Sequence, residues 1–134
     1  MSPQHAVQLS SGQYAVCHGG SRETLQRVCL IDSDGHVIKS YGGSRGSGTQ
    51  QMDMPTPLAV DGNDVLVADF NNRRVLSLSP SLTYAGEVLS SEQVKWRPRR
   101  MFLDADRGRL YVVENEVKEV GKFAGGRVVV VNSC

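Results

Sequence analysis

The chain has 134 residues, 15 Lys and Arg against 14 Asp and Glu, a net charge of +1 and 40% apolar residues. It is long enough to bury a core, and its balanced charge argues against a dedicated polyanion binder, so DNA is not an expected partner. No run approaches the ~20 apolar residues that a membrane-spanning helix needs, so no membrane partner is expected either.

Taken from the N-terminus, short β-branched or alternating runs punctuated by turn residues predict strands throughout. A first unit reads as strands over 6–9, 14–17, 27–32 and 36–41, with turns at Ser10-Ser11-Gly12 and Asp34-Gly35. A second unit reads as strands over 58–61, 65–69, 74–78 and 82–89. Its turns are Asp61-Gly62-Asn63-Asp64, the Asn-rich step 70–73, and Ser79-Pro80-Ser81. A third unit gives strands over 100–104, 110–114 and 127–131, and the sequence stops at Cys134 before a fourth. Arg-Val follows the second strand each time, as Arg27-Val28, Arg74-Val75 and Arg127-Val128. A pattern returning every ~40–50 residues predicts stacked supersecondary units, with a single small β-sandwich as the alternative.

The central copy, Pro57-x-x-x-Val60-Asp61, then Val65-Leu66-Val67-Ala68-Asp69, then Asn72-x-Arg74-Val75, resembles the NHL repeat, the blade unit of a family of β-propellers. The flanking copies share the strand pattern and the Arg-Val but depart at the acidic position, read as Cys17 in the first copy and Glu114 in the third. The resemblance implies an all-β, partial β-propeller of three consecutive four-stranded antiparallel blades, the last lacking its outer strand. Blade one covers about 4–43, blade two about 54–90 and blade three about 97–134. Three blades do not make a ring, so the missing ones would come from a longer chain or from homodimerisation. The longer chain is preferred, because the cut falls inside a blade.

Alternating strand direction puts the longer segments 18–26, 42–54, 90–96 and 115–126 on one rim and the tight turns on the other. Insertions gathered on one face predict a binding surface there. Its candidate residues are Arg22, Arg45, Phe70, Arg73, Lys95, Trp96, Arg97, Lys118 and Lys122, interleaved with Glu23, Asp53, Glu92, Glu116 and Glu119. Mixed charge suits a protein partner. RNA is the alternative, since some tripartite-motif NHL ubiquitin ligases bind RNA on this face, and Phe70 and Trp96 would be the stacking residues. Asp69, Asn72, Arg74, Arg27, Glu114 and Arg127 are read as structural residues of the repeat. Arg74 would be tied to Asp69 across the turn by a charge-assisted hydrogen bond.

Catalytic signals are weak, and the chain is read as a non-enzymatic interaction module without cofactor or metal. His5, His18 and His36 lie at a terminus, a loop and a turn, with no matching ligands in the other units. The remnant of a metal-dependent propeller lyase is therefore only a second alternative. The glycine-rich run 42–48 lacks the Gly-Lys-Ser/Thr ending of a phosphate loop and reads as a flexible connector. Cys17, Cys29 and Cys134 form no Cys-x-x-Cys. They are read as reduced, although Cys17 and Cys29 could pair across adjacent strands in a secreted protein. Without the basic and apolar regions of a secretory leader, the expected location is cytoplasmic.

Overall fold

A computed structural model of the chain describes residues 3–20, 24–119 and 122–132, with side chains at 5–20, 24–115 and 128–131. Among the described residues there are eleven strands: β1 (Pro3–Gln8), β2 (Tyr14–His18), β3 (Leu25–Ile31), β4 (Val37–Ser44), β5 (Pro55–Asp61), β6 (Asp64–Asp69), β7 (Arg74–Leu78), β8 (Tyr84–Leu89), β9 (Arg97–Asp104), β10 (Arg109–Glu119) and β11 (Lys122–Asn132). The one helical element among the described residues is the single turn Phe70–Asn72. The strands form three antiparallel sheets in sequential order, β1-β2-β3-β4, β5-β6-β7-β8 and β9-β10-β11, and none of these sheets is closed into a barrel. The expected all-β class and the grouping into four, four and three strands are both present.

Two apolar layers join the three sheets. The first packs Ala15, Cys17, Val28, Leu30 and Tyr41 of the first sheet against Leu58, Val65, Val67, Leu76 and Leu78 of the second. The second packs Leu66, Val75 and Leu89 of the second sheet against Leu110 and Val112 of the third, with Met101, Leu103, Val129 and Val131 alongside. Successive residues of a strand point to opposite faces, so a strand covered on both sides must be apolar without interruption. Val65-Leu66-Val67-Ala68 is such a run, and β6 is buried from Val65 to Asp69. Each fully buried Val or Leu contributes about 1.5–3 kcal/mol. The first strands lie side by side, β5 next to both β1 and β9. His5 Nδ1 accepts the Leu58 N–H at 2.8 Å and ties β1 to β5. His5, placed at a terminus by the sequence, is thus a bracing residue between two sheets.

Register shows which residues of the three units are equivalent. Pro3 pairs with His18, and His18 with Arg27. Pro55 pairs with Asp69, and Asp69 with Arg74. Pro98 pairs with Glu114, and Glu114 with Arg127. The residue standing where the second unit has Asp69 is therefore His18, which corrects the assignment of Cys17. Linear spacing is ambiguous across a segment as long as 18–26, and cross-strand pairing removes the ambiguity, because a slip of one residue reverses the face. The same register separates the cysteines. Cys17 pairs with Val28 and Val16 with Cys29, so the two sulfurs leave the sheet on opposite faces. Neither forms a disulfide among the described residues, and both are buried.

Three further expectations change. The segment 115–126 was expected as a rim loop. Instead β10 and β11 pair through it as one long hairpin, with Asn115 opposite Gly126 and Glu116 opposite Gly125. Gly125 and Gly126 thus sit within β11. The expected fourth strand over 82–89 starts at Tyr84, because Leu82 turns the chain at φ 57° while its side chain stays in the core. The glycine-rich run 42–48 is held rather than flexible: Arg45 bridges to the fully buried Met52, and Gly46 N–H bonds the Met52 carbonyl at 3.1 Å. Gly42 is obligatory here. It sits at φ +112°, and a Cβ would collide with the Gln26 carbonyl and the Arg27 backbone.

Candidate interaction surface

Register places the end of the second strand, the start of the third and the entry into the first at one end of the first two sheets, and the connectors 45–54 and 90–96 between sheets arrive at that end. The opposite end carries tight turns, and Ser10 bonds Asn63 Oδ1 there between the first and second sheets. The connectors also contribute to the apolar layers, Met52 to the first and Val94 to the second.

Beneath this rim lies a polar network centred on Asp69, which is fully buried. Its carboxylate accepts the Arg74 Nε at 2.7 Å, the Asn72 amide at 2.9 Å and the backbone N–H of Asp53 at 2.7 Å. Arg74 donates further to the Gln51 carbonyl at 2.9 Å, and Asn72 to the Gly46 carbonyl at 2.9 Å, so the network sews the second sheet to the connector from the first. Burial pushes the Asp69 carboxyl above its ordinary range, while the Asp53 N–H, Asn72 and Arg74 pull against that rise. The third unit repeats part of the arrangement: buried Glu114 accepts the Trp96 N–H at 3.2 Å, and Trp96 stands two residues before Pro98 as Asp53 stands two before Pro55. In the first unit Arg27 Nε is buried without a hydrogen-bond partner among the described residues, opposite His18 instead of a carboxylate. Gln26, also fully buried, performs a related task, its Oε1 accepting the Met54 N–H at 2.8 Å.

The rim residues expected to bind a partner fall into three groups. Arg22 lies outside the described residues, as do the side chains of Lys118, Lys122 and Arg127. Arg45 is a brace: it bonds Asp53 at 2.6 Å and the Gly20 carbonyl at 2.7 Å. Phe70, Arg73, Lys95, Trp96 and Arg97 come together between the second and third sheets. Arg97 lies over the Phe70 ring at 6.0 Å, Lys95 lies over the Trp96 ring at 4.8 Å, and Arg73 reaches the Lys95 carbonyl at 3.4 Å. Such cation–aromatic contacts are worth about 0.5–1 kcal/mol each at exposed sites. Of the acidic residues that the sequence interleaves with them, Asp53 is engaged by Arg45 and Asn71, Glu92 is exposed, and Glu23 and the side chains of Glu116 and Glu119 lie outside the described residues. Three cations and two aromatic rings therefore share one patch.

The histidines do not converge on one site. His18 is at the rim end of β2, whereas His36 is in the turn at the other end. There Asp32, Asp34 and His36 bring their ligand atoms within 4.8 Å of one another. The Asp32 carboxylate already accepts the N–H groups of Asp34 and His36, which is what a tight turn requires.

A feature the sequence reading missed is a cleft of about 530 Å³ at the outer edge between the first two sheets. Lys39, Tyr41, Gln50, Arg74, Thr83 and Tyr84 are among its lining residues, and the Tyr41 and Tyr84 rings stack at 6.3 Å. Tyrosines in the fourth strands of consecutive units were the available signal.

No family model matches the chain, and no curated protein does. A crystal structure of a protein from Bacteroides fragilis NCTC 9343, described as exported, is similar in fold, with a TM-score of 0.62 and 14% sequence identity. The similarity covers 96% of this chain and 34% of that one, so this chain spans about a third of that protein's length.

Proposed function

We propose that the chain is a run of three NHL-type propeller blades acting as a non-enzymatic interaction module, whose rim patch binds an acidic segment of a protein partner. The observation carrying this reading is the convergence of Arg73, Lys95 and Arg97 on Phe70 and Trp96 at the junction of two sheets. Stacked meander sheets with neighbouring first strands, and the Asp69–Asn72–Arg74 network at the repeat's motif positions, support the blade assignment. Carboxylates would pair with the cations while the rings supply apolar area, a combination common in interface anchors. RNA fits the patch less well, because bases need open aromatic faces and here Lys95 and Arg97 already cover them.

The test compares the chain with a triple variant, Arg73→Glu, Lys95→Glu and Arg97→Glu, against a tiled library of acidic peptides and against single-stranded RNA of mixed sequence. The expected result is peptide binding in the micromolar range that charge reversal weakens at least about tenfold, with the fold intact by circular dichroism. RNA binding with a steep salt dependence and no peptide capture would overturn the assignment of a protein partner.

A further inference from the structure

We propose that two copies of this chain dock head to tail, the outward face of the third sheet of one packing on the outward face of the first sheet of the other. Both contacts inside the chain follow one rule. The face of a sheet that carries Val28, or Val75 in the next unit, packs on the face of the following sheet that carries Val65, or Leu110 in the unit after. The residues at these positions are closed off: Val28, Val75 and Val65 are 0% exposed and Leu110 is 2%.

The rule leaves one face of each kind uncovered. Val128 follows Arg127 as Val28 follows Arg27 and Val75 follows Arg74, yet it is 57% exposed, with Phe102 at 67% and Val130 at 50% on the same face. At the other end Tyr14 lies four residues before His18, as Val65 lies four before Asp69 and Leu110 four before Glu114, yet Tyr14 is 39% exposed. Leu25 and Val37 are exposed on that face as well. Exposed apolar residues collected on two opposite terminal faces mark interaction surfaces.

The two faces are of complementary kind, because in both internal contacts a face like that of Val128 meets a face like that of Tyr14. A second copy supplies the complement that these two contacts already select. The resulting contact is heterologous: different residues meet from each partner, in contrast to a two-fold dimer built from one face repeated.

Sedimentation velocity over the micromolar range, on the chain itself and on the variants Phe102→Asp and Tyr14→Asp, tests this. Both side chains are exposed in the single chain, so both variants should keep the native circular dichroism. Leu25→Lys and Val130→Lys provide a second pair, should either of the first two misfold. The chain should self-associate, and each variant alone should associate at least about 30-fold more weakly, the loss expected on removing a central aromatic anchor. Mixing the two variants should restore a one-to-one complex, since each still carries the intact face that the other lacks. A chain that stays monomeric throughout overturns the proposal. So does an association that Phe102→Asp abolishes while Tyr14→Asp leaves it unchanged, which is the pattern of a two-fold contact through the third sheet.

Discussion

The same cross-strand position is occupied by Asp69 and Arg74 in the second sheet and by His18 and Arg27 in the first, and the surroundings of the two pairs differ. In the second sheet the guanidinium Nε meets a carboxylate buried between two sheets and held by two further donors. In the first sheet the Nε of Arg27 is buried with no acceptor among the described residues, on the face opposite to the one that packs on the second sheet. The backbone of the repeat therefore does not depend on the ion pair. Strand pairing and apolar packing build each sheet, and the polar network is added where a sheet must be joined to the connector arriving from its neighbour.

The largest effect should come from replacing each arginine by a methionine. Arg74→Met strands the buried Asp69 carboxylate and should cost about 3–5 kcal/mol in urea unfolding. Arg27→Met removes a guanidinium whose Nε has no acceptor and should cost less than about 1 kcal/mol. Equal costs for the two would show that the pairs are energetically alike, and the distinction between them would be lost.

A smaller effect separates the terminal sheet from the internal ones. Val75→Ala opens a gap in a packed layer and should destabilise by about 2 kcal/mol, whereas Val128→Ala at the equivalent exposed position should stay within about 0.5 kcal/mol. The unfolding comparison is made at low protein concentration, where association contributes least. If Val128→Ala is as costly as Val75→Ala there, the third sheet's outward face is covered within the single chain.

The smallest effect concerns the opposite end of the sheets from the rim. The backbone N–H of His36 holds the Asp32 carboxyl below its ordinary value of 3.8, helped by the N–H of Asp34 and by the His36 ring and opposed by partial desolvation. A carboxyl whose folded pKa is depressed stabilises the fold above its unfolded value and loses that contribution as pH falls through the folded one. The stability difference between the chain and Asp32→Asn should therefore be constant above about pH 5 and close as the pH falls past 3.8 and through the lower folded value. A difference that instead grew with acid would place the shift in the other direction.

The amino-acid sequence by itself determined the strand content, the division into three units and the end of the sheets where the long connections gather. Those properties follow from local periodicity and turn chemistry, which each segment carries without reference to the rest. It also marked Asp69 and Arg74 as partners, because five residues across a short turn leave few other arrangements. Cross-strand register was not legible, so His18 was overlooked in favour of Cys17, and the hairpin through 115–126 was read as a loop. Nor did sequence show that Arg45 braces Asp53 and Gly20, that Phe70 and Trp96 each receive a cation, or that Tyr41 and Tyr84 share a cleft. These depend on which segments, tens of residues apart, are brought side by side. Only the packing of sheet on sheet decides that, because the apolar layers set the spacing and the polar side chains at the rim pair with whatever that spacing delivers.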